Sequence, residues 1–162
     1  MADTLPSGRF SGREAFAQLV RDALACAARE GWREIILSDA SFEDWPLRER
    51  AVVESLQAWS ASGRHMVLLA SRYDEAIRLH PRFVSWRQTW GHLLDCRVSR
   101  AGAAADFPSA LWSQGWFLQR LDLERSTGVC GAGSERSIAL KEFLDERIRN
   151  SSPGFAASTL GL

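Results

Sequence analysis

Lysine is all but missing from this chain: of its 20 basic residues, Lys141 alone is not arginine. Codon usage in a GC-rich genome accounts for such a bias; an arginine-lined anion pocket is the functional alternative. A net charge is missing too, since 20 acidic residues balance the basic ones. Non-specific nucleic-acid binding needs a positive field to release counterions, so nucleic acid is not the expected partner. The same balance excludes a polybasic membrane anchor. Cysteine is scarce and odd in number. Cys26, Cys96 and Cys130 lie far apart with no zinc spacing, which predicts reduced, mostly buried thiols and a cytoplasmic protein. No run approaches the roughly 18 apolar residues of a membrane span, and the first residues carry no apolar stretch of a secretory signal.

What is present is ordinary for a globular domain: 162 residues, 46% hydrophobic and 25% charged. Seven tryptophans are the exception. The chain reads as a polar arm over 1–9, one domain over 10–150 and a tail over 151–162. Ser11 and Glu14 have capping-box spacing, and Phe16, Leu19, Val20, Ala23, Leu24 and Ala27 recur as one helical face that Gly31 ends. "EIILS" reads as a strand buried on both faces. A helix is predicted from Pro46 to Gly63, with Leu47, Ala51, Val52, Leu56 and Trp59 inward. "RHMVLLAS" is the next strand, completing a βαβ unit. A helix starting near Asp74 is interrupted at Pro81 and continues with Phe83, Trp86 and Trp90 on its buried side, while Arg82, Arg87 and Gln88 project elsewhere. "LLDCRVS" is a third strand beside the second. Residues 100–112 read as a loop, "GWFLQRLDLE" and "STGVCGAG" as a hairpin, and 134–149 as a helix burying Ile138, Leu140, Phe143, Leu144 and Ile148. In the tail, Phe155, Leu160 and Leu162 are available to pack on the body or on a partner. The expected class is α/β, with a mixed β-sheet flanked by helices.

This order of elements, with "EIILSDASFEDWPL", "HMVLLASRYDE" and "HPRFVSWRQTWGHLLDCRVS", resembles one half of a phospholipase D-like fold, most nearly the small degenerate members found in bacteria. The resemblance spans residues 12–148 and rests on element order and hydrophobic pattern. In active members, a hairpin after the third strand carries His-x-Lys-x4-Asp, whose histidine attacks phosphorus and whose lysine steadies the phosphate. The hairpin here, "LWSQGWFLQRLDLERSTGVCG", has neither residue, and no histidine in the chain is followed two places later by lysine. Arg120 and Asp122 do not replace a histidine nucleophile. The resemblance therefore implies no catalytic residue and loss of hydrolysis by the family mechanism. Because active members pair two halves across a cleft, it also implies a homodimer.

Ligands of open α/β sheets favour the carboxyl ends of the strands. Here the loops "SDASFEDW" and "SRYDE" would gather Asp39, Glu43, Asp44, Trp45, Arg72, Tyr73 and Asp74. Carboxylates beside an arginine suit Mg²⁺ with a phosphate, although aspartates at such junctions more often cap turns and helices. His80, His92 and Cys96 are the candidate metal ligands, but two histidines twelve residues apart across a proline are poorly placed. His80 reads as a cap or surface residue and His92 as a partly buried polar tip. The glycine-rich "STGVCGAGS" lacks the lysine of a phosphate-binding loop. Tryptophans interleaved with arginines suit base stacking, yet their helical spacing assigns them to the core. The chain is accordingly expected to be a non-catalytic binding or assembly module without cofactor or metal, a homodimer open to a further protein partner. A nucleotide- or phosphate-binding regulator, or a Mg²⁺-dependent enzyme, is the second expectation. A specific nucleic-acid binder using arginines on one face is the third.

Overall fold

The computed structural model describes residues 5–100 and 106–155. The expected α/β class is what it shows: one eight-stranded mixed sheet between helical layers. In chain order the elements are β1 (Gly8–Ser11), α1 (Arg13–Glu30), β2 (Glu34–Ser38), α2 (Arg50–Ser60), β3 (His65–Ala70), α3 (Asp74–Leu79), α4 (Pro81–Thr89) and β4 (Leu94–Val98). There follow β5 (Ser109–Ser113), β6 (Trp116–Asp122), β7 (Thr127–Gly131), α5 (Ser134–Arg149) and β8 (Ser152–Pro153). The strand order is β1-β7-β6-β5-β2-β3-β4-β8. β2, β3 and β4 are parallel, joined through α2 and through the α3–α4 pair; every other pairing is antiparallel.

Strand alternation divides the core in two. Ile35, Leu37, Met66, Leu68, Leu111 and Leu118 face a large cluster built with α1, α2 and α4. Their neighbours Ile36, Val67, Leu69, Trp112 and Phe117 face a smaller one under Leu140 and Leu144 of α5. A continuous apolar run is what a strand covered on both faces requires. Five of the seven tryptophans are buried, at 45, 59, 86, 112 and 116, and Trp32 and Trp90 are half-buried. Most of the buried indole N–H groups find local acceptors: Trp59 donates to the Trp32 carbonyl at 2.6 Å and Trp86 to Ser60 Oγ at 2.9 Å. The stretch 80–97, rich in tryptophan, arginine and histidine, thus packs a helix on the sheet and enters β4. The three cysteines are free and buried, and burial pushes the Cys96 thiol up to about 12.

Several local expectations yield to tertiary packing. Residues 8 and 9 belong to β1, paired with β7, and the Pro6 carbonyl accepts from Trp116 Nε1 at 2.9 Å, so the segment from Leu5 onward is tied down; residues 1–4 of the expected arm lie outside the described residues. No capping box forms: the residue before α1 is Gly12, at φ 104°, because Ser11 is the last residue of β1. The second helix begins at Arg50, four residues later than Pro46 suggests, since residues 43–49 form turns; Leu47 is buried from those turns and Ala51 is exposed. Residues 109–112, read as loop, are in β5, whose five residues are all buried between β2 and β6; residues 101–105 of that loop lie outside the described residues. On α5 only Leu140 and Leu144 of the expected stripe are buried and Ile148 is half-buried, whereas Ile138 and Phe143 are 58% and 46% exposed on the helix flanks. Arg87 is buried too, its guanidinium donating to the Phe155 carbonyl at 2.9 and 3.2 Å. Phe155 packs on Tyr73 at 5.2 Å, while Leu160 and Leu162 lie outside the described residues.

Candidate functional site

The loops after β2 and β3 run side by side: the Ala40 carbonyl accepts from both Ser71 N and Arg72 N. Their side chains nevertheless part company. Asp39, at the end of β2, turns into the protein, where its Oδ2 accepts from Ser41 N at 3.2 Å and Phe42 N at 2.8 Å. This tight turn holds Phe42 at φ 59°, a left-handed conformation rare for an aromatic residue. The other oxygen, Oδ1, accepts from Arg120 Nη2 at 3.0 Å.

Arg120 organises the whole cluster. It sits on β6 in phase with Leu118 and Trp116, so alternation sends it into the core between α1 and the sheet. Its guanidinium carries five N–H donors, and all are used. Nε donates to Ser109 Oγ at 3.0 Å, and Nη1 to Asp44 Oδ2 at 2.7 Å and Ser126 Oγ at 3.1 Å. Nη2 reaches Asp39 Oδ1, and Asp44 Oδ1 at 3.1 Å. The Phe16 ring lies 4.0 Å from the guanidinium carbon, supplying a cation–π contact. Burial disfavours the Arg120 charge, but the two aspartates outweigh it and hold the guanidinium above its ordinary pKa. Burial likewise pushes the Asp44 carboxyl up, and the hydrogen bonds and charge of Arg120 overcome it, leaving it below the usual carboxylate range. On β7 opposite Arg120 stands Gly128, where a Cβ would meet the Gln119 carbonyl oxygen at 2.0 Å. The strands approach so closely there that only glycine fits.

Above this cluster opens a cleft of ≈ 380 Å³ lined by Arg13, Ser41, Glu43, Asp44, Arg120 and Leu123, with Asp39 at its base. The remaining expected site residues do not line it. Trp45 is buried between Phe16 at 5.3 Å and Phe42 at 4.9 Å, edge-on to both, and its Nε1 has no acceptor among the described residues. Arg72 is exposed and holds Glu75, at 2.9 and 3.1 Å. The buried Tyr73 hydroxyl shares its proton between the carbonyls of Leu68 at 3.0 Å and Arg97 at 2.9 Å, and burial raises its pKa. Asp74 is exposed in the first turn of α3. The expected gathering of Asp39, Asp44, Trp45, Arg72, Tyr73 and Asp74 around one ligand therefore splits into a closed Asp39–Asp44–Arg120 network and separate structural roles.

His80 also departs from expectation. It is wholly buried between α3 and α4, with Nε2 2.9 Å from the Phe42 carbonyl, and burial lowers its pKa. His92 is exposed. No group of three or more His, Cys, Asp or Glu side chains is arranged to hold a metal among the described residues, and among them no helix is long and apolar enough to cross a membrane.

Arg120 was the residue that pattern reading undervalued. Its signal was available: a charged residue in the inward phase of a strand needs buried counter-charges, and Asp39 and Asp44 lie in the first half of the loop after β2. The pairing itself joins positions 76 and 81 residues apart.

No family model and no curated protein matches this sequence. Among solved structures, the fold is similar to TrmBL2, an archaeal chromatin protein whose structure shows a novel mode of DNA binding. The match has a TM-score of 0.66 at 16% sequence identity and covers 90% of this chain. It covers 53% of that protein's chain, so this chain spans about half of TrmBL2's length.

Proposed function

We propose that this chain is a non-catalytic binding module that works on nucleic acid. The observation that carries the proposal is the likeness of nearly the whole chain to part of a DNA-binding chromatin protein. Within the cleft, the Asp39–Asp44–Arg120 network suits a supporting role better than a catalytic one. Every donor of Arg120 is already engaged, and Asp39 spends both oxygens on the turn and on Arg120. Such a network holds loops in place and has no spare base or nucleophile to offer. A neutral net charge sets the expected character of binding: local arginine contacts rather than a broad positive field.

The test is fluorescence anisotropy of a labelled DNA duplex titrated with the purified protein at about 50 mM salt, repeated at about 200 mM. Binding that weakens with salt is the expected result. A flat titration at the lower salt overturns the proposal. The reading also takes the chain to be a homodimer, consistent with Ile138, Phe143 and Leu121 lying 58%, 46% and 57% exposed; native mass spectrometry giving only the monomer removes that part.

A further inference from the structure

We propose that the groove between α2 and α4 is the surface that holds the phosphate backbone of a nucleic acid, through Arg48, Arg50 and Arg82. This rests on the nucleic-acid reading above and assigns it a place. The groove has a volume of ≈ 340 Å³ and is lined by Arg50 and Glu54 of α2 and by Arg82, Ser85 and Thr89 of α4, with Trp86 beneath. Arg82 Nη1 donates to the Arg48 carbonyl at 3.2 Å, which brings the start of α4 against the turn that leads into α2. Arg50 and Arg82 thus line one end of the groove, and the exposed Arg48 lies in the turn beside them.

Their counter-charges are nearly all committed elsewhere. Among the described residues neither Arg48 nor Arg82 has an ion-pair partner. Glu49, beside Arg48 in sequence, gives both oxygens to Arg21, at 2.8 and 2.9 Å. Only Glu54 faces Arg50, at a loose 3.7 Å with both side chains more than 70% exposed. In a chain of zero net charge, a cluster of this kind is a local positive feature, and guanidinium groups match phosphate oxygens as two-pronged donors. Ser85 adds a hydroxyl donor along the groove wall, of the sort that positions a backbone without reading bases, while the Thr89 hydroxyl is spent on the Ser85 carbonyl at 3.0 Å. The arginines stand where α2 and α4 begin, on the side of the carboxyl-terminal ends of the parallel strands, and the groove runs from there along both helices.

Three phosphate contacts predict a slope of log K against log salt near −2.7 on duplex DNA, a loss of about 40-fold between about 50 and 200 mM salt. The experiment measures that slope by anisotropy for the wild type, for Arg48→Gln/Arg50→Gln/Arg82→Gln, for the corresponding triple lysine variant, and for Arg33→Gln/Arg64→Gln at the opposite end of the sheet. Loss of most binding in the glutamine triple, weaker binding with a near-wild-type salt slope in the lysine triple, and an Arg33/Arg64 variant close to wild type are the expected outcome. All five positions are exposed, and circular dichroism confirms that each variant is folded. Wild-type binding that survives in the folded glutamine triple with an unchanged slope overturns the groove while the nucleic-acid reading stands. Absence of wild-type binding removes both.

Discussion

Arg120→Ala is the sharpest test of the account of the cleft. The Arg120 side chain is 3% exposed and that of Asp39 7%. Removing the guanidinium strands the Asp39 carboxylate in the core, takes two hydrogen bonds from Asp44, and empties the space against Phe16. Removing one partner of a buried ion pair costs about 3–5 kcal/mol, most of it the penalty for the charge left behind. Against a total of about 5–15 kcal/mol for a domain, that is a large share. At about 2–4 °C per kcal/mol for a chain of this size, the melting temperature should fall by roughly 6–20 °C. Urea denaturation followed by tryptophan fluorescence measures the loss directly. Arg120→Met combined with Asp39→Asn and Asp44→Asn removes the charges together, and the amide oxygen then at position 39 can still accept from the backbone N–H groups of its turn. That triple variant should recover much of the loss, since well-packed neutral replacements of a whole buried network are often close to neutral. A loss below about 1 kcal/mol in Arg120→Ala, or a triple variant no more stable than the single one, refutes the argument that uncompensated charge dominates.

Two further outcomes follow from the same region. His80 is held neutral in the fold by burial, so its folded pKa lies below the ordinary 6.5. Above that value both folded and unfolded chains carry it neutral and its contribution is intact. As pH falls below it the unfolded chain takes up a proton first, and stability drops by up to about 1.4 kcal/mol per pH unit until the folded pKa is passed. Arg48, the nearby cation, adds to the depression. His80→Gln should flatten the fall between about pH 6.5 and 5, where carboxylates with ordinary pKa values stay ionised; an unchanged slope in urea midpoints would exclude His80 as its source. Gly128→Ala sets a methyl group against the Gln119 carbonyl of the adjacent strand. It should cost about 1–3 kcal/mol or more in thermal unfolding, and an unchanged melting temperature would mean the strands separate there without strain.

The α/β class, the parallel β2-α2-β3 unit, the third parallel strand and the hairpin of β6 and β7 were all legible in the sequence, because each is written in local hydrophobic periodicity. So was the break at Pro81, where a missing N–H stops one helix and a fixed φ starts the next. Burial of Trp59 and Trp86 followed from their helical spacing, whereas Trp112 and Trp116 are buried on strands and Trp45 in the loop after β2. Tertiary structure decided the rest. β5 carries small and apolar residues whose strand character comes only from β2 and β6 on either side. β1 displaced the helix cap that Ser11 and Glu14 encode locally, because pairing with β7 recruits Ser11 into the sheet. Above all, the partner of Asp39 and Asp44 lies on a distant strand, and no local pattern says which buried arginine will meet which aspartate. Residue types near one another in sequence suggested an open ligand site; long-range packing turned Asp39 inward, tied both aspartates to Arg120, and left Arg48, Arg50 and Arg82 exposed around the starts of α2 and α4.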